Sequence, residues 1–259
     1  MADNIFSVEG KIALVSGASS GLGEHMAELL AANGVAVVCA ARRVDRLERL
    51  AERITAKGGR ALAVAMDVTD RASVKAALNA AESTFGTPDI IVCNAGATGG
   101  QPFLEMEEAV WDHVLAVNLK GVFNLAQEGA QRMVAAGKSG SIINISSIAG
   151  KQIYANGAVY CASKAAVEVL SQGMRIDLNP FGIKVSNLAP GAVNTEFSAV
   201  RFKGDVDKVD AVYKGFEPLV AKDVAEVLRF MVMAPAHVNL SDVTLLPTAQ
   251  ASANLINRI

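Results

Sequence analysis

The sequence has little of what marks disulfide-bonded proteins or binders of polyanions. Its three cysteines, Cys39, Cys93 and Cys161, are widely separated and odd in number, which argues against a disulfide framework. Positive charge is not in excess, because 24 Lys and Arg residues against 26 Asp and Glu residues give a formal charge of −2. This balance gives no support to a nucleic-acid partner or to an anionic membrane surface.

Long apolar runs are missing as well. The run "VAVVCAA", residues 35–41, is far shorter than the ~18 residues that suggest a membrane span. The first residues carry acids at Asp3 and Glu9 and lack the basic-then-apolar order of a signal peptide. We therefore expect a protein of the reducing cytoplasm with no membrane partner.

Histidine is too sparse to indicate a metal centre. The three histidines lie far apart and without the spacing of metal ligands: His25, His113 and His237. We predict no metal site and assign none of the three a role, and we expect His25 to face outward from the first helix.

Short apolar segments alternate with amphipathic segments along most of the chain. "KIALVSG" and "VAVVCA" are typical of buried strands, whereas "VDRLERLAERITAK" has helical spacing. The alternation predicts an α/β fold of the Rossmann type, a doubly wound parallel sheet with helices on both faces. Hydrophobic residues make up 51%, enough for a sizeable core, and no linker or repeat interrupts the series. We predict a single domain over residues 1–259.

Three later segments complete this prediction. A long helix is expected from about Glu107 to Ala136, with a core-facing stripe of Val110, Trp111 and Leu115. The segment 192–218 is mixed in polarity and predicts a long loop, which in a compact domain is typical of a lid. Residues 247–259 form a C-terminal tail.

A glycine-rich turn follows the first predicted strand. In "SGASSGLGE", Gly17, Gly21 and Gly23 lead directly into a helix. Such glycines let the backbone approach a pyrophosphate, and the helix N-terminus offers free N–H groups and a favourable dipole. A tight turn without a ligand would look the same, but the strand before it and the helix after it favour a nucleotide site.

The end of the second strand indicates which nucleotide is bound. NAD-binding sites carry an acid there for the ribose diol, whereas a 2′-phosphate needs cations. Here the strand ends "CAARR", with Ala41 in the place of the acid and Arg42 and Arg43 after it. Guanidinium groups match phosphate geometry, so we predict NADP(H). For Arg43, solubilising the start of the next helix is an equally good interpretation.

Taken together, the motifs resemble those of the short-chain dehydrogenase/reductase family. The segments that carry the resemblance, over roughly residues 10–195, are "SGASSGLG", "MDV", "NAG", "VNLKG", "INISS", "YCASK" and "APGAVNT". The resemblance implies a sheet of about seven strands in the order 3-2-1-4-5-6-7. It also implies a homo-oligomer, a tetramer or a dimer, with a small-molecule substrate.

Tyr160 and Lys164 lie one helical turn apart in "YCASK". A free tyrosine has a pKa of about 10, and a neighbouring cation stabilises the phenolate and lowers that value. The resemblance implies that Tyr160 exchanges a proton with the substrate oxygen and that Lys164 also holds the nicotinamide ribose. It implies further that Ser147, rather than its neighbour Ser146, binds the substrate oxygen. Asn118 is implied to kink its helix and to seat a water that joins Lys164 to solvent.

The resemblance also assigns a cofactor surface. Asp67 and Val68 are expected at the adenine, and Pro190, Gly191 and Thr195 at the nicotinamide. The complete set of expected cofactor-binding residues is Gly17, Ser19, Ser20, Gly21, Leu22, Gly23, Arg42, Arg43, Asp67, Val68, Asn94, Ala95, Gly96, Tyr160, Lys164, Pro190, Gly191, Val193 and Thr195.

The C-terminal third resembles one subgroup, the NADP-dependent serine 3-dehydrogenases and 3-hydroxy acid dehydrogenases. The resemblance rests on "TEFSAVRFKGD", "PLVAKDVAE", "APAHVN" and "DVTLLPTAQASANLINR". It implies oxidation of a small 3-hydroxy acid at its β-hydroxyl, or the reverse reduction. Arg201 is our candidate for binding the substrate carboxylate, although a solvated loop charge explains it almost as well.

Two other functions compete with this prediction. A reductase of larger ketones or 3-oxoacyl esters would use an apolar lid, which Phe197, Phe202 and Phe216 could supply, although lid packing explains them too. A catalytically silent NADP-binding sensor or scaffold would need no proton donor. The presence of Tyr160 and Lys164 argues against it.

Overall fold

The computed structural model describes residues 7–201 and 204–259. Within these ranges, only the backbone is described for residues 199, 201, 208 and 209. Phe202 and the side chain of Arg201, both singled out in the sequence, therefore lie outside the described part. No helix in the described ranges is long and apolar enough to cross a bilayer.

Seven parallel strands form the central sheet. Its strands are β1 (Ile12–Ser16), β2 (Ala36–Ala41), β3 (Arg60–Ala65), β4 (Ile90–Cys93), β5 (Gly140–Ile145), β6 (Ile183–Pro190) and β9 (Asp242–Leu245). They lie in the order β3-β2-β1-β4-β5-β6-β9, which confirms the predicted order. The seventh position belongs to β9 because two short strands, β7 (Val193–Asn194) and β8 (Leu219–Val220), pair with each other in a separate sheet.

Helices cover both faces of the sheet, as the apolar strands require. They are α1 (Gly21–Ala32), α2 (Val44–Ala56), α3 (Arg71–Thr84), α4 (Glu108–Leu115), α5 (Gly121–Ala135), α6 (Ala158–Leu178), α7 (Glu196–Arg201), α8 (Val206–Tyr213) and α9 (Ala221–Met233). Side chains of α1, α2 and α9 form one core cluster with the sheet, and those of α3, α5 and α6 form the other. The chain thus folds into three layers.

The strand order places a cleft at the centre of one sheet edge. From β1 the chain crosses to β2 on one side, and it later returns to β4 on the other side. The loops after β1 and β4 therefore diverge, and the carboxyl ends of these strands leave a crevice between them. Ligands of open parallel sheets bind at this kind of switch point.

The segment predicted as a long loop is largely helical. Between residues 192 and 218 the described part contains β7, α7 and α8. Helical periodicity is hard to recognise in elements of six and eight residues, and this explains the wrong prediction. We keep the name lid for residues 192–218, of which Val193, Thr195, Glu196, Phe197 and Val200 line the cleft described below.

The predicted long helix is present but interrupted. A π-helical turn, Ala116–Lys120, joins α4 to α5, so the helical stretch runs from Glu108 to Ala135. The predicted core-facing stripe is wrong for Trp111, which is 38% exposed, whereas Val114 on the same helix is fully buried. In this helix of eight residues Val114, rather than Trp111, lies on the buried face, next to Gly99 of the loop after β4.

Candidate active site

The cleft has a volume of about 420 Å³ and lies over the carboxyl ends of the central strands. Most of the predicted site residues line it. These are Gly17, Ser19, Ser20, Gly21, Leu22, Arg42, Arg43, Asp67, Val68, Asn94, Ala95, Gly96, Ser147, Tyr160, Lys164, Pro190, Gly191, Val193 and Thr195. The structure thus brings residues that are up to 178 positions apart into one concave surface, of a size typical of ligand sites.

The glycine turn after β1 is packed too closely for side chains. Gly17 has a φ of +67°, and a Cβ there would lie 2.9 Å from the Ala95 Cα. Gly23 does not line the cleft, because it lies buried behind the turn, where a Cβ would come within 2.5 Å of the Gly17 carbonyl oxygen. The first turn of α1 thereby packs directly against the loop.

The N-terminus of α1 faces the cleft without a side-chain cap. Ser20 is the N-cap residue, with extended backbone, but its hydroxyl makes no capping hydrogen bond. The first N–H groups of a helix have no partners within the helix. Together with the helix dipole, they make this end of the cleft suited to an anion.

Polar contacts tie the loop after β1 to the loop after β4. The Ser16 hydroxyl donates to the Val92 carbonyl at 3.1 Å and accepts from the Asn94 and Ala95 N–H groups at 2.9 and 3.0 Å. The Asn94 amide donates to the Ser16 carbonyl at 2.9 Å. The side chain of Asn94 therefore fixes the shape of the cleft floor.

Cations gather at one end of the cleft, beyond β2. Arg42 is exposed there, and its charge is one cause of a lowered pKa at Asp67. The larger causes are hydrogen bonds from Thr69, whose hydroxyl and N–H donate to the Asp67 carboxylate at 2.7 and 2.9 Å. Because its carboxylate is held by Thr69, Asp67 has a fixed orientation at the cleft wall.

Arg43 joins the glycine turn to the lid. Its Nε donates to the Ser19 hydroxyl at 3.1 Å and its Nη2 to the Ser20 hydroxyl at 2.7 Å. On its other side, Nη1 lies 3.4 Å from a carboxylate oxygen of Glu196, the first residue of α7. Arg46 of α2 holds the same carboxylate, with Nη1 at 2.9 and 3.1 Å from its two oxygens.

Tyr160 and Lys164 lie one turn apart on α6, at the other end of the cleft. The Lys164 Nζ is 5.8 Å from the centre of the Tyr160 ring and donates to the Ile145 carbonyl at 2.8 Å. Lys164 is only 6% exposed, and burial lowers its pKa to about 8. The ammonium is therefore placed where it can act on the phenol, but its own charge is costly there.

Ser147 follows β5 and faces the same part of the cleft. Its hydroxyl donates to the Pro190 carbonyl at 3.4 Å and accepts from the Ala149 N–H at 3.1 Å. The neighbouring Ser146 is buried, and its hydroxyl donates to the Glu168 carboxylate at 3.2 Å. Of the two serines, Ser147 has the more available hydroxyl.

Asn118 lies behind the cleft, in the π-helical turn between α4 and α5. Its Oδ1 accepts from the Ala97 N–H at 2.7 Å, and its Nδ2 donates to the Ala97 carbonyl at 3.0 Å and to the Ser163 hydroxyl at 2.9 Å. The Ser163 hydroxyl donates in turn to the Tyr160 carbonyl at 2.7 Å. Asn118 thus connects the loop after β4 to the turn of α6 that carries Tyr160.

The arrangement of a glycine turn, a tyrosine–lysine pair and a serine can be compared with known proteins. A family model described as short chain dehydrogenase matches residues 11–205. The chain belongs to the short-chain dehydrogenase/reductase family. This confirms the resemblance stated from the motifs, and members of the family are oxidoreductases.

Similar proteins extend over nearly the whole chain. Sulfoacetaldehyde reductase 2 of Chromohalobacter salexigens is 35% identical, over 95% of this chain and 98% of that protein. An NADP-dependent 3-hydroxy acid dehydrogenase of Salmonella typhi is 35% identical, over 94% of this chain and 98% of that protein. The closed form of a serine dehydrogenase complexed with NADP+ matches with a TM-score of 0.88 and 34% identity, over 96% of this chain and 99% of that one.

Among the residues that line the cleft of this family member, His113 and Glu196 received no site role from the sequence, and Phe197 was named only as part of an apolar lid surface. The ring centre of Phe197 lies 5.9 Å from that of Tyr160, so this phenylalanine does more than pack within the lid. His113 is exposed, and its charge contributes to the lowered pKa of Asp67. His25, in contrast, is exposed on α1 and does not line the cleft. Glu196 and Phe197 directly follow Thr195, the last residue of "APGAVNT", and this adjacency in the sequence is a signal that they lie at the cleft.

Proposed function

We propose that this oxidoreductase uses NADP(H) to interconvert a small hydroxy compound and the corresponding carbonyl compound. The observation that carries the proposal is the placement of Tyr160, Lys164 and Ser147 around one end of a cleft whose other end holds the glycine turn and two arginines. The first group suits proton exchange with an oxygen, and the second suits a phosphorylated nucleotide.

The residues present fit a dinucleotide. A Cβ at Gly17 would meet the Ala95 backbone, so the loop keeps a smooth surface along which a pyrophosphate can lie. The uncapped N-terminus of α1 supplies N–H donors at the same place. When bound, NADP(H) supplies the hydride-transfer chemistry.

At the adenosine end, Arg42 and Arg43 would bind the 2′-phosphate. Ala41 ends β2, so no carboxylate stands at that position to repel a phosphate or to bind a ribose diol. The hydroxyls of Ser19 and Ser20 lie within hydrogen-bond distance of Arg43 and would complete the set of donors. Asp67 and Val68 would contact the adenine, and Pro190, Gly191, Val193 and Thr195 the nicotinamide half.

At the reacting end, Tyr160 would give a proton to the carbonyl oxygen in reduction and take it back in oxidation. The Lys164 ammonium would stabilise the phenolate form and hold the nicotinamide ribose hydroxyls. The Ser147 hydroxyl would hydrogen-bond the same substrate oxygen and steady negative charge as it develops. Asn118 would keep the α6 turn in place through Ser163 and lie on the route by which protons reach Lys164.

For the substrate we propose a 3-hydroxy acid such as serine or a related β-hydroxy acid. The support is the likeness of the C-terminal third to that subgroup and the names of two of the relatives, a 3-hydroxy acid dehydrogenase and a serine dehydrogenase. Sulfoacetaldehyde, in the name of a third relative, is also a small anion. Arg201, the last residue of α7, is our candidate partner for the anionic group.

A reductase of larger carbonyl compounds is the second candidate. The ring of Phe197 beside Tyr160 favours it, because an aromatic ring next to the reacting oxygen provides an apolar contact for a substituent. Such a substrate would need no cation in the lid.

A turnover panel distinguishes the two. NADP+ reduction is measured with serine, 3-hydroxyisobutyrate, 3-hydroxypropionate and simple secondary alcohols. NADPH oxidation is measured with simple ketones and a 3-oxoacyl ester. Each assay is repeated with NAD+ or NADH. We expect activity on the hydroxy acids and a preference for NADP(H). Activity on ketones or oxoacyl esters alone would support the second candidate, and turnover of none of these compounds would support a silent nucleotide-binding protein.

Two properties of the whole protein are also proposed. A homo-oligomer, tetramer or dimer, follows from the family, and sedimentation tests it. A cytoplasmic location suits the three cysteines, which are unpaired and buried. Burial raises the pKa of the Cys93 thiol to about 12, so this group is poorly reactive.

A further inference from the structure

Glu196 occupies an unusual position between the lid and the adenosine end of the cleft. It begins α7, yet its carboxylate reaches Arg46, 150 residues earlier in the chain. Arg43 lies on its other side at 3.4 Å, and the Ser20 hydroxyl also hydrogen-bonds to it. Two guanidinium groups and a hydroxyl therefore converge on one carboxylate.

These donors overlap with those that the proposed function assigns to the 2′-phosphate. Arg43 and Ser20 belong to both sets, and the Ser19 hydroxyl lies 3.1 Å from Arg43. Burial alone would raise the pKa of Glu196, but hydrogen bonds from Ser20, Arg46 and Arg43 outweigh it and the pKa is lowered. The carboxylate is thus a permanent anion at neutral pH, next to the place where a dianionic phosphate has to enter.

We infer that Glu196 sets the strength of the cofactor preference by competing with the 2′-phosphate for Arg43 and Ser20. The inference rests on the proposed use of NADP(H). A nucleotide with a 2′-phosphate has to displace the Glu196 carboxylate from these two donors. The carboxylate then remains paired with Arg46. A nucleotide with a free 2′-hydroxyl leaves the contacts intact. Glu196 therefore weakens the binding of the phosphorylated nucleotide only.

The test compares adenosine 2′,5′-bisphosphate with adenosine 5′-monophosphate, because these probes differ only in the 2′-phosphate and do not need the reacting end of the cleft. Binding is measured by calorimetry at fixed low ionic strength, since salt screens partly exposed charges. In Glu196→Gln, which keeps the size of the side chain, we expect the bisphosphate to bind roughly threefold to fivefold more tightly, as for one partly exposed ion pair. The affinity for the monophosphate should stay unchanged.

Glu217→Gln provides the matched control. Glu217 is an exposed acid of the same lid that does not line the cleft, so the variant has the same change in net charge. It should bind both probes as the wild type does. Three results in Glu196→Gln would overturn the inference: equally tighter binding of both probes, no change in either, or weaker binding of both. Weaker binding of both would mean that Glu196 supports nucleotide binding.

Failure of the proposed function gives a different result. If the wild type and Glu196→Gln both bind the two probes equally, Arg42 and Arg43 do not bind the 2′-phosphate, and the proposed function and the inference are both wrong. If the wild type prefers the bisphosphate and Glu196→Gln does not increase that preference, the inference alone is wrong.

Discussion

The Lys164 ammonium lies 5.8 Å from the centre of the Tyr160 ring and donates to the Ile145 carbonyl at the end of β5. This contact fixes the lysine between α6 and the sheet, where it is almost fully buried. A flexible side chain becomes a fixed charge next to the phenol. Contacts within the chain therefore position the charge at the reacting end of the cleft.

Tyr160→Phe should abolish turnover, because the variant keeps the ring and loses the only group proposed to exchange a proton with the substrate oxygen. Affinity for NADPH should stay within a few-fold of the wild type. Steady-state kinetics and a fluorescence titration measure the two quantities. Tyr154→Phe removes a hydroxyl outside the cleft lining and should remain active. Substantial activity in Tyr160→Phe would remove this residue from the mechanism.

Burial of Lys164 predicts a pH-dependent stability. Its pKa falls from 10.5 to about 8, so the unfolded chain binds more protons between these values and stability rises with pH. Relative to Lys164→Met, the wild-type protein should gain roughly 2 kcal/mol in the free energy of unfolding between about pH 7 and about pH 9.5.

Urea denaturation at several pH values measures this difference. Lys57→Met, at an exposed position, controls for the loss of one lysine. A difference between wild type and Lys164→Met that does not change with pH would mean that the buried ammonium is not destabilised in the fold.

Arg42→Ala should weaken NADPH binding far more than NADH binding, by about 2 kcal/mol for a lost charge-assisted contact. Both affinities are measured by competition titration. Arg49→Ala is the control, because Arg49 is exposed, does not line the cleft and pairs with Asp45 at 2.6 Å. Equal weakening of both cofactors would mean that Arg42 does not contact the 2′-phosphate.

Gly23→Ala should lower both stability and nucleotide affinity. The new Cβ would come within 2.5 Å of the Gly17 carbonyl oxygen, which forces α1 away from the glycine turn. We expect a loss of about 1–3 kcal/mol in unfolding free energy, as for other overpacked sites. Gly173→Ala is the control: this glycine lies within α6 with open space around it, and alanine should be neutral or stabilising there. Similar behaviour of the two variants would contradict the packing argument.

Much of the fold is predictable because the hydrophobic patterns that specify its strands and helices extend over only a few neighbouring residues. Apolar runs such as "VAVVCA" form strands since both sheet faces are covered, and the helix that carries Tyr160 has periodic spacing over 21 residues. The lid was mispredicted as a loop because α7 and α8 are too short for such a period. Trp111 was misplaced because its helix buries a narrower face than its sequence suggests.

The sequence by itself determined the α/β alternation, the glycine turn, the spacing of Tyr160 and Lys164 and the cations after β2, because each depends on neighbours within a few residues. Only the tertiary structure decided that Glu196 lies on Arg43 and Arg46 and that Phe197 lies beside Tyr160. The Glu196 contacts join residues about 150 positions apart, where the packing of the lid on the sheet edge, rather than any local pattern, sets the distance.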